Sequence, residues 1–365
     1  MEYLHIMRNN IFTIPYIKFI EKNFQNKKHV FYIIGGTTDI EFSRKDFINN
    51  KYIKYYNKKK SNMLLRKLNI VLAHLRLYLD ILSKKKIIIH GLFNPLIVIL
   101  LFFNPWILKR CNWIMWGGDI ECCKNSKNIF EKIYTYMEKM VKKNFYQISY
   151  LTKGDYEIAR KNLKVKGKAQ RAIYMSPIKL EQLKMYETKL RLKNELSIQI
   201  GNSADPENNH LEMLKILEKY KNKNIKIYAP LSYGNKNYAL KVKEYGEKIF
   251  GDKFIAILEL YTPEKYAEYL AQIDILIFNH KKQQGLGNIF ALGYLNKKIY
   301  LRSDISSWNY LTEDLKLRVY DIQRIQDEDF EIFKDNSLLG NKEKIENTIF
   351  SDTYIKKIWE ENFNS

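Results

Sequence analysis

Short apolar runs rich in Ile, Val, Tyr and Phe alternate with amphipathic stretches along nearly all of the 365 residues. No other feature limits the fold as strongly. Such a run reads as a buried strand, and apolar residues spaced three and four apart read as a helix. Strand candidates are Tyr3–Met7, Val30–Ile34, Lys86–His90, Asn112–Trp116, Tyr146–Leu151, Leu196–Ile200, Ile225–Ala229, Phe254–Ile257, Asp274–Phe278 and Lys298–Leu301. Helical windows include Met63–Leu82, Ile129–Phe145, Leu211–Tyr220, Tyr238–Phe250 and Ile289–Leu295. Alternation of this kind predicts parallel sheets with helices on both faces. The chain is also longer than the ~250–300 residues one core usually supports. Two Rossmann-like domains are therefore expected, residues 1–190 and 191–345. Residues 346–365 read as a C-terminal helix able to pack back on the first domain.

In open parallel sheets, ligands bind at the carboxyl ends of the strands. Those positions are rich in polar residues and glycine: His90-Gly91 with Phe93-Asn-Pro95, Trp116-Gly-Gly-Asp119, Thr152-Lys-Gly-Asp155, Gly201-Asn-Ser-Ala-Asp205, Pro230-Leu-Ser-Tyr233 and Lys281-Lys-Gln-Gln-Gly-Leu-Gly287. Two such domains facing across a cleft fit a glycosyltransferase of the GT-B type, and equally other two-domain nucleotide binders. Gly285-Leu-Gly287-Asn-Ile-Phe290 is not a dinucleotide fingerprint, because Phe290 stands where the third glycine belongs. It remains a turn feeding a helix N-terminus, which suits a phosphate. Gln283, Gln284 and Asn288 can donate there, and Lys281 and Lys282 add charge. Asn202 and Ser203 suit either a helix cap or the same anion.

A hydroxyl nucleophile needs a base or a hydrogen-bond acceptor within reach. Asp119 suits that role, with Glu121 and His90 as alternatives; a helix-capping Asp119 and a structural His90 are the plainer readings. Asp327-Glu-Asp329 has the form of a metal-binding Asp-x-Asp but follows no buried strand, so it reads as a solvated run. The histidines show no metal-ligand spacing, and neither metal nor cofactor is expected.

Residues 1–190 carry 36 Lys+Arg against 14 Asp+Glu, whereas residues 191–365 carry 26 of each. The whole excess of +22 lies in the first half, which points to an anionic partner there, nucleic acid or a membrane surface. Basic runs at Lys58–Lys60 and Lys84–Lys86 suit phosphates or lipid head groups, or simply solvated loops. Aromatics are not interleaved with the basic residues in a nucleic-acid-binding motif, so no nucleic acid is expected. Leu96–Phe103 is apolar but too short to cross a bilayer, which takes ~20 residues; it reads as a buried helix, or as one that dips into a membrane. Cys111, Cys122 and Cys123 form no disulfide framework, and the N-terminus lacks a secretory signal, so a cytoplasmic protein is expected.

Taken in order, the motifs resemble those of the TDP-N-acetylfucosamine:lipid II N-acetylfucosaminyltransferases (4-acetamido-4,6-dideoxygalactose transferases, glycosyltransferase family 56). The residues that carry the likeness are His90-Gly with Phe93-Asn-Pro95, Trp116-Gly-Gly-Asp119, Thr152-Lys-Gly-Asp155, Gly201-Asn-Ser203 with Asp205, Pro230, Tyr233, Asn237, Gly246 and Gln283–Gly287. They span roughly residues 86–310. Lys153 and Lys282 stand where the family commonly has arginine, a point charge in place of a bidentate fork. The resemblance implies a GT-B fold and metal-independent transfer of a deoxyaminosugar, like N-acetylfucosamine, from a nucleotide-diphosphate donor, dTDP favoured. It implies an undecaprenyl-diphosphate-linked oligosaccharide as acceptor, in surface polysaccharide synthesis at the inner face of the cytoplasmic membrane. The second domain would hold the donor through Asn202, Ser203, Tyr233, Lys282, Gln283, Gln284, Gly285, Gly287 and Asn288. The first would hold the acceptor through Asn94, Trp116, Lys153 and Asp155, with Asp119 and His90 catalytic. Two rival readings remain: a basic nucleic-acid-binding protein, and an inactive membrane scaffold that keeps the fold.

Overall fold

The structure is a computed structural model, and it describes residues 2–36, 47, 53–56, 63–120, 128–187, 195–337 and 340–365. The chain divides into two compact units. One comprises Met1–Met175 with Asp352–Ser365, the other Ser176–Ser351.

The first unit holds strands β1 (Glu2–Asn9), β2 (Lys28–Gly36), β3 (Ile53–Tyr56), β4 (Lys86–His90), β5 (Cys111–Ile114), β6 (Gln147–Tyr150) and β7 (Lys168–Arg171). They form one sheet in the order β3-β2-β1-β4-β5-β6-β7, and every pairing is parallel. Its helices are α1 (Thr13–Asn23), α2 (Met63–Ser83), α3 (Pro95–Phe103), α4 (Ile129–Lys143) and α5 (Lys153–Leu163). The order reverses between β1 and β4, the kind of switch point where doubly wound sheets open a crevice.

The second unit begins with α6 (Leu180–Glu187), so the division falls at Met175/Ser176 and not near residue 190. It contains β8 (Leu196–Ile200), β9 (Ile225–Pro230), β10 (Phe254–Ile257), β11 (Ile275–Phe278), β12 (Lys298–Leu301) and β13 (Tyr320–Asp321). The order is β10-β9-β8-β11-β12-β13, again parallel throughout, with the switch between β8 and β11. Helices α7 (His210–Leu217), α8 (Lys236–Phe250), α9 (Pro263–Gln272) and α10 (Leu286–Tyr294) lie between its strands.

Central strands read as continuous apolar runs because helices cover both faces: Ile87–Ile89 and Ile275–Phe278 are buried without a break. The strands absent from the sequence reading, β3, β7 and β13, close the ends of their sheets. An end strand has a neighbour on one side only, and Lys168-Ala-Gln-Arg171 accordingly lacks an apolar run.

Two sequence expectations need correction. Leu96–Phe103 is helical, with Asn94 accepting from Leu96 N at 3.0 Å as its cap and Pro95 in the first turn. It is buried on one face only, by Ile97, Val98 and Leu101, whereas Leu96, Ile99 and Phe103 are exposed. The acidic run is not wholly solvated: Glu328 is buried and accepts the Tyr300 hydroxyl, while Asp329 caps Phe330–Lys334.

The C-terminal helix, Asp352–Asn364, belongs to the first unit. Trp359 is fully buried and donates its indole N–H to Ile173 O at 2.8 Å. Asn362 accepts from Asn112 Nδ2 at 2.9 Å and donates to Ser149 Oγ at 2.8 Å.

Candidate active site

In the second unit, the loops after β8, β9 and β11 meet at the switch point. Gly201 turns the chain out of β8 with φ +63°, and a Cβ there would lie 2.2 Å from His210 Nε2. Asn208 ties the loop together: its Oδ1 accepts from Asn202 N at 3.0 Å, and its Nδ2 donates to Ser203 Oγ at 3.3 Å and Asp205 O at 3.2 Å. The loop after β9 is laced to it by Ala204 N to Tyr233 O at 2.8 Å and Asn235 N to Ala204 O at 3.0 Å. Asn202 Nδ2 then reaches the Tyr233 hydroxyl at 3.3 Å, and its buried Oδ1 has no partner among the described residues.

Gly285 starts α10 with φ +68°. A Cβ there would lie 2.7 Å from the Phe278 ring and 3.4 Å from Asn202 Cγ, so the first turn of α10 stands beside the β8 loop. The opening N–H groups of a helix lack intrahelical acceptors and carry the positive end of its dipole. Gly287 faces open space. Asn288 accepts the Tyr266 hydroxyl at 2.7 Å, leaving its amide N–H₂ for other use. Gln283 and Gln284 are half-buried and Lys281 exposed. Lys282 pairs with Glu207 at 3.0 Å, so its charge is shared with a carboxylate. The structure thus gathers Asn202, Ser203, Tyr233, Gly285 and Asn288 into one loop cluster. Sequence reasoning missed Asn208, His210 and Tyr266, which brace it. His210 is buried and held neutral, its pKa lowered to about 4 by burial.

In the first unit, Asp119 is buried. Its Oδ2 accepts from Leu92 N at 2.8 Å and Trp113 Nε1 at 2.6 Å, and its Oδ1 from Trp116 N at 2.8 Å. Burial raises its pKa against those donors. The carboxylate therefore knits the β4 loop to the β5 loop. His90 ends β4, buried, with its pKa lowered to about 3 by burial. Its Nδ1 lies 2.5 Å from the Tyr174 hydroxyl, which Trp116 Nε1 also reaches at 3.1 Å. Asn94 caps α3 and meets His74 Nε2 at 3.1 Å. Lys153 opens α5, and Asp155 lies in its first turn, where its N–H donates to the Thr152 cap at 3.3 Å; the negative charge complements that helix end. Asp119, Trp116 and His90 are thus brought together, while Lys153 and Asp155 form a separate turn. Glu121, Cys122, Cys123 and Lys58–Lys60 lie outside the described residues. Tyr174, absent from the sequence reading, carried no signal beyond following the unrecognised β7.

An apolar face spans three neighbouring helices of this unit. It presents Leu72, Leu75, Leu79 and Leu82 of α2, Leu96, Ile99 and Phe103 of α3, Trp106, and Ile129, Phe130, Ile133 and Tyr136 of α4, all exposed. Tyr78 of α2 reaches Asn104 after α3 at 3.2 Å, and the Phe102 and Tyr136 rings lie 6.2 Å apart. Arg76, Lys109, Lys132 and Lys139 are exposed beside it. Exposed apolar side chains gathered on neighbouring helices point to an interaction surface more than singly scattered ones do. No helix among the described residues is long and apolar enough to cross a membrane.

Several solved structures share the architecture. A glycosyltransferase from Rickettsia africae ESF-5 matches with TM-score 0.62 at 13% identity, over 100% of this chain and 97% of that one. Sucrose-phosphate synthase from Thermosynechococcus elongatus gives TM-score 0.67 at 9% identity, over 100% and 98%. WaaG, a glycosyltransferase of lipopolysaccharide biosynthesis, gives 0.60 at 10% identity, over 99% and 98%. These likenesses place the two parallel-sheet units in the GT-B fold. The model of one family, described as 4-alpha-L-fucosyltransferase, glycosyl transferase group 56, matches residues 18–364, including the stretch before residue 86 that the motifs did not reach. On that match the chain belongs to glycosyltransferase group 56 and is a glycosyltransferase.

Proposed function

We propose that this enzyme moves a deoxyaminosugar of the N-acetylfucosamine type from a nucleotide-diphosphate donor, dTDP favoured, to an undecaprenyl-diphosphate-linked oligosaccharide at the inner face of the cytoplasmic membrane. The product would serve surface polysaccharide synthesis. The observation that carries the lipid part is the apolar face of α2, α3 and α4 with cations beside it. Leucines and aromatics enter the acyl boundary while lysine and arginine meet anionic head groups. The excess positive charge of residues 1–190 acts in the same direction and draws the acceptor's diphosphate.

The donor is assigned to the loop cluster of the second unit. The first turn of α10, from Gly285, offers N–H donors to the diphosphate, and Asn202, Ser203, Gln283, Gln284 and Asn288 surround it. Lys282 would leave Glu207 to join. Tyr233 is exposed beside Asn202 and suits stacking on the base. In the first unit Asn94, Trp116, Lys153 and Asp155 are assigned to the acceptor. Asp119 acts as an orienting group, since its oxygens already hold three donors. Neutral and cationic donors would supply the charge stabilisation, with no metal.

Thermal stabilisation by a panel of nucleotides and nucleotide-diphosphate sugars tests the reading. A ligand at a hundred times its dissociation constant adds ~2.7 kcal/mol. Stabilisation by dTDP or UDP, lost in Gly285→Val, is the expected result. No stabilisation by any nucleotide would overturn the donor assignment.

A further inference from the structure

Arg8 stands at the carboxyl end of β1, beside the switch between β1 and β4. The β1–β4 pairing ends at Ile6 and Ile89, and the β1–β2 register slips between Met7 and Asn9. A break of that kind re-aims a side chain and is common beside active sites. The Arg8 carbonyl accepts the Thr13 hydroxyl at 2.7 Å, which holds the turn into α1. The guanidinium is half-buried and lies over the Phe93 ring, 5.6 Å from its centre. Phe93 is 37% exposed and is seated between two turns. A Cβ on Gly91, whose φ is +76°, would lie 2.3 Å from the Phe93 ring, and one on Gly118 would lie 3.9 Å from it. The glycines after His90 and Trp116 thus make room for the ring on which Arg8 rests. Phe12, Trp116 and Tyr174 form a second aromatic group at the same strand ends, with Phe12 5.4 Å and Tyr174 4.8 Å from Trp116.

The charge of Arg8 is not answered inside the protein. No ion pair among the described residues involves it. Asp119, the buried carboxylate of these loops, already takes three N–H donors. The histidines of the sheet below add no positive charge. Three of them, from three adjacent strands, β2, β1 and β4, stand in a hydrogen-bonded row. His29 Nδ1 lies 2.9 Å from His5 Nε2, and His5 Nδ1 lies 3.1 Å from His90 Nε2. Tyr16 of α1 and Phe363 of the C-terminal helix cover them. Burial holds all three rings neutral: His29 and His90 are lowered to about 3, and His5 is lowered well below its ordinary value by burial and its two histidine neighbours. Arg8 is therefore a cation held over an aromatic ring with no carboxylate to meet. Stacking uses the face of a guanidinium and leaves its N–H edge, a planar fork that matches two oxygens of a phosphate or carboxylate.

We propose that Arg8 is a specificity-determining residue that grips an anionic group of the acceptor glycan, a phosphate or a sugar carboxylate. The inference rests on the first unit being the acceptor unit. A neutral acceptor of the same shape forgoes the charge-assisted pair, so Arg8 selects acceptors by charge.

The test uses the full chain saturated with dTDP, so that the diphosphate site of the second unit is filled. Farnesyl diphosphate and methyl glucuronide, with farnesol and methyl glucoside as their neutral controls, are titrated by calorimetry into wild type, Arg8→Lys and Arg8→Gln. At least one anion should bind the wild type tenfold or more tighter than its control. Arg8→Gln should lose about ten- to hundredfold of that affinity, the worth of a hydrogen bond to a charged group, with melting temperature and dTDP affinity unchanged. Arg8→Lys keeps the charge without the fork and should fall between. A response confined to farnesyl diphosphate identifies the group as phosphate, and one confined to methyl glucuronide as carboxylate. Equal binding of the anion by wild type and Arg8→Gln would overturn the role of Arg8 while leaving the acceptor reading intact. Neither anion binding above its control, despite dTDP binding, would overturn the acceptor reading and the role of Arg8 with it.

Discussion

The Asp119 carboxylate takes the Trp113 indole N–H at 2.6 Å, and through the same oxygen it takes the backbone N–H of Leu92 at 2.8 Å. An asparagine would present one carbonyl oxygen and an N–H₂ to these donors and to Trp116 N. At least one buried donor would then go unpaired, a loss of about 1–3 kcal/mol. Asp119→Asn should therefore lower the urea midpoint and slow turnover, while nucleotide affinity stays at the wild-type value. Unchanged stability with lost turnover would instead mark Asp119 as a base open to the acceptor.

Gly285 and Gly287 make a paired comparison. Gly285 has φ +68° and a Phe278 ring 2.7 Å from where a Cβ would stand, whereas nothing lies within 4 Å of a Cβ on Gly287. Gly285→Ala should destabilise the second unit by roughly 1–2 kcal/mol and weaken nucleotide binding. Gly287→Ala should fold at least as well, since alanine outranks glycine in a helix by about 1 kcal/mol. Calorimetric titration with dTDP then tells whether the ligand approaches that backbone closely.

The buried histidines set a pH dependence. His29 and His90 are lowered to about 3, and His210 and His280 to about 4, all chiefly by burial. The unfolded chain takes up these protons first, near pH 6.5. Stability is thus fully present above about 6.5 and falls as the pH drops towards the folded values. Each histidine contributes up to about 1.4 kcal/mol per pH unit. Denaturant midpoints at pH 7.5 and 5 should fall on acidification, and His29→Gln should flatten the slope.

Trp106 and Phe130 are 57% and 75% exposed on the apolar face. Replacing both by glutamate removes about 3–5 kcal/mol of burial into lipid and adds repulsion from anionic head groups. Co-sedimentation with vesicles containing anionic lipid should drop at least tenfold for the double variant, with its melting temperature unchanged. Equal binding by both proteins would remove this face from membrane docking.

The central strands were legible because burial on two faces writes an uninterrupted apolar run; β4, β8 and β12 begin and end where the sequence reading placed them, as does β10 at one edge of its sheet. The other end strands, β3, β7 and β13, were not; β7 has only its Ala169 to mark it as apolar. Within the candidate site, turns such as Gly285 and Gly201 were visible through residue type. His5 and His29 were not, because neighbours in a parallel sheet are separated by whole helices in sequence. Only the order β2-β1-β4 shows that three scattered histidines share one face.

The return of Asp352–Asn364 to the first unit makes Ser176–Ser351 an insertion within it. On the ribosome the second unit has all its residues while the first still lacks the helix bearing Trp359 and Phe363. Nascent chains should therefore acquire a stable second unit early, and the histidine-bearing face of the first sheet should stay uncovered until residues 352–365 have been synthesised.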